Sequence, residues 1–232
     1  MAERTLAIIT ARGGSKRIPH KNIRLFCGKP IMAYSIEAAV KSEIFDEVMV
    51  STEDSEIARI AEQYGAKVPF YRSSQTAGDY ATIREVVTEV LQEYQAREIN
   101  FDYVCCIYPT APFITVEKLR KAKEIMMEQH VAEVTGVVSF SFPPQRGQII
   151  DKNGFLQYSY PQYQNIRSQD LQTVYHDAGQ FYFYNVKKYL GSQKDYKKVP
   201  FILPETEVQD IDNIEDWKIA ELKYQLMRES KE

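Results

Sequence analysis

The chain has 232 residues, of which 44% are hydrophobic and 26% charged, with a net charge of −3 at pH 7. A chain of this length buries roughly 70% of the surface that its unfolded form exposes, so it can fold without disulfides or a structural metal. The mildly acidic balance argues against a general nucleic-acid binder, and we expect no nucleic-acid partner. The three cysteines, Cys27, Cys105 and Cys106, have neither a metal-binding spacing nor that of a disulfide framework.

The chain has no 18-residue apolar stretch and no signal-like apolar segment near its first residue. We therefore expect a cytoplasmic protein with no membrane partner.

Apolar runs alternate with amphipathic segments along the first 142 residues. The runs that predict buried strands are 5–10, 46–52, 68–72, 103–108 and 134–142. The segments whose apolar residues repeat at helical spacing are 30–42, 53–68, 82–95 and 115–129. Pro30 suits a first helical position, Gly65 a helix end and Thr115 a helix cap. Strands and helices that alternate in this way predict an α/β fold with a mostly parallel central sheet.

The alternation breaks between residues 143 and 179. Asn153-Gly154 joins two short runs within 147–159, which predicts a β-hairpin. The stretch after the hairpin is too long for an ordinary connection and too aromatic for a disordered linker. We expect 143–179 to be a β-rich insertion that packs on another surface, such as a second copy of the chain. Residues 1–142 and 180–232 would then form the main domain, with strands at 180–185 and 199–204 and a closing helix over 212–229.

The first predicted strand runs directly into a basic, glycine-containing loop. Arg12, Gly13, Gly14, Ser15 and Lys16 follow the apolar run, and Lys21 and Asn22 stand a few residues further on. Ligands of open α/β sheets bind at the carboxyl ends of strands, where glycines let backbone N–H groups approach an anion. The loop matches neither the P-loop nor the dinucleotide-binding pattern. It predicts a phosphate site, and the alternative is a flexible, solvated basic turn.

Several segments together resemble the CMP-sialic acid synthetase-like cytidylyltransferases, a family that activates acidic sugars with CTP. The segments that carry the likeness are ARGGSKRIPHKN (11–22), FCGKPIMAYSIEAA (26–39), DEVMVSTED (46–54), VPFYRSSQTAGDYAT (68–82) and QDIDNIEDW (209–217). The resemblance spans residues 5 to about 220. It implies a three-layer Rossmann-like (GT-A-like) nucleotidyltransferase fold, with 143–179 as the dimerisation segment of a homodimer.

The resemblance also implies a reaction. The anomeric hydroxyl of a nonulosonic acid would attack the α-phosphate of CTP, releasing pyrophosphate and forming a CMP-sugar. Four further segments are similar to members that use pseudaminic acid: CCIYPTAPF (105–113), FPPQRG (142–147), RSQDL (167–171) and YHDAGQFYFY (175–184). The alternatives are legionaminic or N-acetylneuraminic acid as substrate, or a catalytically inactive nucleotide-binding scaffold.

The family pattern assigns catalytic roles to Arg12, Lys21 and Asp212. Arg12 and Lys21 would neutralise the α-phosphate and the leaving pyrophosphate, and Arg72 would read the cytosine. The complete set of residues that the resemblance implies for nucleotide binding is Ala11, Arg12, Gly13, Gly14, Ser15, Lys16, Lys21, Asn22, Arg72, Asp79, Ala81 and Thr82.

Two carboxylates near the end of the chain predict a magnesium site. Asp210 and Asp212 stand two apart, so on an extended backbone both point to the same side. Carboxylate oxygens suit Mg²⁺, which takes few protein ligands and shares phosphate oxygens. The alternative is that Asp212 caps the last helix; the cap is predicted at Asp212 or Asn213.

The sugar-binding residues that the resemblance implies are Tyr108, Thr110, Arg146, Arg167, Gln169 and His176. Tyr108 stands where the sialic acid synthetases typically carry Gln. Arg167 is the first choice to bind the sugar carboxylate bidentately, Arg146 the second, and both would reach the site of a partner chain. An interface salt bridge is the alternative. His176 and Asp177 are adjacent on a predicted strand and face opposite ways, so we expect no catalytic dyad.

Overall fold

The computed structural model describes residues 3–78, 80–191 and 196–229. Its strands are β1 (Thr5–Thr10), β2 (Leu25–Phe26), β3 (Lys29–Pro30), β4 (Glu47–Ser51), β5 (Tyr103–Ile107), β6 (Glu133–Ser139), β7 (Gln148–Ile150), β8 (Leu156–Tyr158), β9 (Tyr175–Asn185) and β10 (Lys198–Ile202). Six of them form the central sheet in the order β10-β6-β9-β5-β1-β4. All neighbours pair in parallel except β9, which is antiparallel to both β5 and β6. The predicted α/β fold with a mostly parallel sheet is confirmed.

The helices are α1 (Ile31–Ser42), α2 (Ser55–Gln63), α3 (Ser74–Ala77), α4 (Ile83–Gln95), α5 (Val116–Gln129), α6 (Val186–Leu190) and α7 (Ile214–Glu229). Thr115 caps α5 as predicted, because its side chain accepts the N–H of Lys118. Along the described ranges, the chain offers no helix that combines the length and apolar character needed to cross a bilayer.

The helices cover both faces of the sheet, because successive residues of the buried strands point to opposite sides. Ala7 and Ile9 of β1 pack in the apolar cluster that includes α1, α2 and α5. Leu6 and Ile8 pack on the opposite face, in the cluster that includes α4. The resulting three layers place the carboxyl ends of β1, β4 and β5 at one edge of the molecule.

The predicted strand at 68–72 is wrong. The backbone of the segment meets the edge strand β4 and the residues after it at two points. Lys67 forms an isolated parallel bridge with Met49, and the N–H of Arg72 donates to the carbonyl of Thr52. Pro69 lies between these two points and has no backbone N–H, so it cannot continue a ladder. The segment therefore follows β4 as a loop, and it leads towards α3 and α4.

The last helix packs beside the glycine loop. Trp217 and Ala220 of α7 are buried in a separate apolar cluster with Phe26, Ile31 and Ile18. Asn213 begins the helix, since its Oδ1 accepts the N–H groups of Glu215 (2.8 Å) and Asp216 (3.0 Å). This packing brings residues 210–212 next to the end of β1.

Residues 143–179 contain the predicted hairpin. β7 pairs antiparallel with β8, and Gly154 takes the positive φ of 86° that the turn requires. Four apolar side chains of the hairpin are exposed: Ile149, Ile150, Phe155 and Leu156. β9 begins at Tyr175, before residue 180, where the predicted strand starts. The division of the chain into two domains stays a prediction.

Candidate active site

A cavity of about 630 Å³ opens at the carboxyl ends of β1 and β5. Its volume lies within the usual range for small-molecule sites. Its lining includes many of the predicted residues, which are Arg12, Ser15, Lys16, Lys21, Asn22, Arg72, Ala81, Tyr108, Thr110, Asp210 and Asp212. The other lining residues, which the sequence prediction missed, are Thr10, Arg17, Thr76, Gly78, Ile83, Val86 and Pro109.

The glycine loop is tied down at both ends. Asn22 is buried, and its Nδ2 donates to the carbonyl of Arg12 at 2.8 Å. Gly13 N–H donates to Glu53 Oε1 at 2.7 Å, so this amide is not directed at the cavity as a phosphate cradle would require. A Cβ at Gly13 would lie 2.5 Å from Asp54 Oδ2, whereas a Cβ at Gly14 would meet nothing within 4 Å. A side chain at Gly13 would therefore force Asp54 to shift, whereas Gly14 has open space.

Glu53 is a site residue that the sequence prediction missed. Its Oε1 holds the loop through Gly13, and its Oε2 is buried without a hydrogen bond from any described residue. Its charge also acts on Arg72. Glu53 stands two residues after the end of β4, so its place near a strand end was the available signal.

Lys21 joins the loop to the segment before α7. Its Nζ donates to the carbonyl of Ile211 at 2.8 Å. Burial lowers the pKa of the Lys21 ammonium, and the carboxylates of Asp212 and Asp210 act in the opposite direction. A partly desolvated cation interacts more strongly with a nearby anion than a solvated one does. Lys21 is therefore well placed to hold a phosphate.

Asp212 faces the cavity and does not cap α7. Its Oδ1 lies 2.6 Å from Nη2 of Arg17, and the cap is Asn213 instead. Asp210 lines the same cavity. Hard carboxylate oxygens of this kind fit Mg²⁺. Within the described ranges no three His, Cys, Asp or Glu side chains come together as a metal site, and the magnesium site stays a prediction.

Arg72 is oriented by Ser51 at the end of β4. Its Nε donates to Ser51 Oγ at 3.0 Å and its Nη2 to Ser51 O at 2.7 Å. Burial lowers the pKa of the Arg72 guanidinium, and Glu53 acts in the opposite direction. Arg72 is only 9% exposed, yet it lines the cavity. Its contact with cytosine stays a prediction.

The remaining predicted nucleotide residues have different positions. Ala11 is fully buried, and its N–H donates to the carbonyl of Ser51. Asp79 lies outside the described residues. Thr82 caps α4 in a reciprocal pair with Glu85, so its hydroxyl has a structural use.

Tyr108 and Thr110 extend the cavity beyond the end of β5. The backbone of Tyr108 is fixed, because its N–H donates to Gln180 O and its carbonyl accepts the hydroxyl of Ser35. Burial raises the pKa of the Tyr108 phenol, which therefore stays protonated at neutral pH. A neutral phenol here can exchange hydrogen bonds with an uncharged group of a ligand.

The other predicted sugar residues do not reach this cavity within one chain. Arg167 is 76% exposed and pairs with Asp170 at 3.2 Å. Arg146 Nη1 donates to Ser168 Oγ at 3.1 Å. Gln169, which follows Ser168 in the same short 3₁₀ helix, is exposed. Their roles stay predictions.

His176 lies in a neighbouring cavity of about 220 Å³, which shares Asp210 with the main one. Its Nδ1 contacts the carbonyl of Asp177 at 2.9 Å, and its ring packs against Phe140. The Asp177 carboxylate instead accepts the N–H of Gly179 and the hydroxyl of Tyr182.

The cavity combines a cationic wall with a small apolar one. The cationic side chains are Arg12, Lys16, Arg17, Lys21 and Arg72, and the carboxylates are Asp210 and Asp212. An excess of cations at strand ends suits a polyanion, and charge developing in phosphoryl transfer is stabilised by such groups. Ile83 and Val86 of α4 supply the apolar part of the lining.

Comparisons with known proteins agree with this geometry. A model of the family described as cytidylyltransferase matches residues 6–216. The chain is 41% identical over 229 residues to the pseudaminic acid cytidylyltransferase of Campylobacter jejuni subsp. jejuni serotype O:2, covering 98% of this chain and 99% of that one. It is 36% identical over 239 residues to the CMP-N,N'-diacetyllegionaminic acid synthase of Legionella pneumophila, again covering 98% and 99%.

A solved structure shares the fold. The CMP:2-keto-3-deoxy-manno-octonic acid synthetase complexed with CTP superposes with a TM-score of 0.68 at 16% identity, covering 98% of this chain and 100% of that one. Family match, near-complete coverage and cationic strand-end cavity lead to one conclusion: the chain belongs to the cytidylyltransferase family.

Proposed function

We propose that this protein transfers CMP from CTP to the anomeric hydroxyl of a nonulosonic acid, with pseudaminic acid as the substrate. The hydroxyl oxygen bonds to the α-phosphorus, and the bond from that phosphorus to the bridging oxygen of the β-phosphate breaks. Pyrophosphate leaves with the electron pair, and the hydroxyl proton passes to solvent. The observation that carries the proposal is the cationic cavity at the strand ends of a chain 41% identical to a pseudaminic acid cytidylyltransferase.

The glycine loop side of the cavity would bind the triphosphate. Arg12, Lys16 and Lys21 line it, and their charges would offset the negative charge on the α-phosphate and pyrophosphate. Such a displacement needs in-line positioning more than covalent chemistry. The fixed position of Lys21, which is bonded to Ile211, supports that role.

Asp210 and Asp212 would hold Mg²⁺ when the nucleotide binds. The bound ion would supply neutralisation of charge on the phosphate oxygens. Asp212, which pairs with Arg17 in the structure, would be released from that pair to hold the ion, and both residues line the cavity. Because Asn213 caps α7, Asp212 can leave Arg17 without opening the helix.

The sugar would lie beyond the α-phosphate, towards Tyr108 and Thr110. Arg72 and Ala81 would contact the cytosine. Arg167 and Gln169, with Arg146 and His176, would complete the sugar subsite from the partner of a homodimer. Exposed apolar side chains on the β7–β8 hairpin support a covered surface there. The homodimer and the cytoplasmic location stay predictions; sedimentation of the purified protein tests the first.

Pyrophosphate release with CTP and Mg²⁺ tests the proposal, with pseudaminic, legionaminic and N-acetylneuraminic acids in parallel. We expect release with pseudaminic acid, and UTP in place of CTP serves as the nucleotide control. Release with one of the other acids alone would keep the reaction and discard the sugar. No release with any acid, in folded protein that binds CTP, would favour the inactive scaffold.

A further inference from the structure

One glutamine of β9 is bonded to two parts of the chain that contribute to the main cavity. The backbone carbonyl of Gln180 accepts the N–H of Tyr108 at 2.8 Å, and the side-chain Nε2 of Gln180 donates to the carbonyl of Glu207 at 2.5 Å. Tyr108 lines the cavity, and Glu207 stands three residues before Asp210, which lines the same cavity. Gln180 itself is not among the lining residues, so it acts on the cavity through these two bonds.

The Gln180 side chain is a buried amide with only part of its hydrogen bonding satisfied. It is 2% exposed, and its Oε1 is buried without a hydrogen-bond partner among the described residues. A buried polar atom without a partner costs about 1–3 kcal/mol. An apolar side chain of similar length would avoid that cost, so stability alone does not explain an amide here. The bond from its nitrogen to Glu207 does.

The segment that Gln180 holds is also bonded to two helices. Lys118 Nζ of α5 pairs with Glu207 Oε2 at 2.5 Å, and Lys223 Nζ of α7 donates to the carbonyl of Val208 at 2.7 Å. Gln180 adds the bond that ties this segment to the Tyr108 backbone. Asp210 is exposed, so the position of its carboxylate is set by the backbone on either side of it.

Tyr108 and Asp210 belong to different parts of the proposed reaction. Burial raises the pKa of the Tyr108 phenol, and the Asp210 carboxylate acts in the same direction, so the two side chains lie within electrostatic reach. In the proposed function the sugar lies towards Tyr108 and the phosphates lie beside Asp210. The attacking hydroxyl must meet the α-phosphorus in line, and a misplacement of about 1 Å can cost roughly 10²-fold in rate.

We propose that Gln180 is a positioning residue, which sets the separation between Tyr108 and the segment that carries Asp210 and Asp212. This inference rests on the proposed function and deepens it. Without the amide, the carbonyl of Glu207 would turn to water, because Glu207 is only half-buried. The segment would shift with it, and the two carboxylates would move relative to Tyr108.

The substitution Gln180→Met removes the donor and keeps the length of the side chain. We expect kcat to fall by roughly 10- to 100-fold, with the KM for CTP changed by less than about 3-fold, because the glycine loop is untouched. The Tm should stay the same or rise, since the variant no longer buries an unpaired amide oxygen. Gln63→Met, at the exposed end of α2, is the matched control and should change neither value.

Two results of that experiment would overturn the proposal. One is a kcat within about 2-fold of wild type. The other is a loss of activity that matches the fraction of unfolded protein, which is what a purely structural role predicts. If Gln180→Met does not fold, Gln180→Asn carries the test, because its amide is one methylene too short to reach Glu207. The same fall in kcat is expected, and a wild-type kcat would overturn the proposal.

Amide hydrogen exchange of residues 205–212 gives a readout that does not depend on turnover. The N–H of Val208 donates to the carbonyl of Glu205, and the N–H of Glu207 to that of Pro204. Exchange in this segment should be at least roughly 5-fold faster in Gln180→Met and unchanged in Gln63→Met. Equal exchange in wild type and Gln180→Met would overturn the inference while the proposed function stands. If the wild-type protein turns over none of the acids, the proposed function fails, and the exchange ratio decides by the same criterion whether Gln180 positions the segment.

Discussion

The two halves of the candidate site differ in how much one chain supplies. On the nucleotide side, Lys21 is bonded to the backbone of Ile211, and Asn22 to that of Arg12. On the side of the 143–179 segment, Arg167 is mostly exposed and pairs with its own neighbour Asp170. The proposed triphosphate subsite would therefore be held in place by contacts within one chain, whereas the proposed binding of the sugar carboxylate by Arg167 would need a second surface.

Loss of a cation from the preorganised half should have the largest effect. Lys21→Met keeps the length of the side chain and removes its charge, so we expect kcat to fall by roughly 10²- to 10³-fold. Steady-state pyrophosphate release measures it, with the exposed Lys121→Met as control. A kcat within a few-fold of wild type would remove Lys21 from the phosphate site.

The second prediction tests the dependence on a partner. Arg167→Ala should lower kcat/KM for the sugar by at least roughly 30-fold, whereas the exposed Arg59→Ala should not. Co-refolding Arg167→Ala with Lys21→Met should restore roughly a quarter of wild-type activity, because half the dimers are mixed and each holds one intact site. No recovery in a mixture shown to contain mixed dimers would place Arg167 in its own chain's site or outside any site.

The Mg²⁺ requirement distinguishes two roles for Asp212, that of a metal ligand and that of an ion-pair partner of Arg17. EDTA should abolish turnover and added Mg²⁺ restore it, and Asp212→Asn should raise the Mg²⁺ requirement by roughly 10-fold or more. Arg17→Gln breaks the same ion pair but keeps the carboxylate, so its Mg²⁺ requirement should change less than about 2-fold. If both variants shift the Mg²⁺ titration equally, Asp212 is an ion-pair residue only.

The glycine loop offers a matched pair for stability. Gly13→Ala should lower the free energy of unfolding by about 1–3 kcal/mol, because the new methyl group meets Asp54. Gly14→Ala has open space and should leave stability unchanged or slightly raised. Urea unfolding of both variants provides the comparison, and equal losses would show that Asp54 moves aside freely.

The smallest loss of stability is expected at Thr82, the residue that caps α4. Thr82→Ala removes the cap of α4 and should cost about 1 kcal/mol of stability, with little change in the KM for CTP. Thr88→Ala in the same helix is the control and should cost nothing. A raised KM for CTP in Thr82→Ala at unchanged stability would instead make Thr82 a nucleotide contact, as its family pattern predicts.

Much of the fold could be predicted because burial leaves a mark on the sequence. Continuous apolar runs identified β1 and β5. The two-residue spacing of Asp210 and Asp212 predicted that both side chains face the same way, and both line the cavity. The strand expected at 68–72 was wrong because Pro69 has no backbone N–H and interrupts the hydrogen-bond ladder. The prediction gave more weight to the apolar residues of this segment than to its proline. Side-chain hydrogen bonds between distant segments, in contrast, have no recognisable pattern in the sequence.

Arg72 and Glu53 illustrate what stayed hidden. Arg72 is bonded to Ser51, and Glu53 to Gly13 forty positions away, because strand ends meet only in three dimensions. The direction of a loop side chain depends on such neighbours, and local residue pattern does not contain them. That Arg167 is exposed within one chain could not be predicted from the sequence either.

The bond from Lys21 to Ile211 spans 190 positions of the chain, and this has a consequence for biosynthesis. During synthesis the basic loop leaves the ribosome before Asp210, Asp212 and α7. The loop therefore cannot form its contacts with these residues until they have been made. Long-range closure of this kind is slow and comes late in folding. A chain released or cleaved before residue 210 lacks these carboxylates and the Ile211 carbonyl alike. Assembly of this corner therefore requires a chain that has been translated at least as far as residue 212.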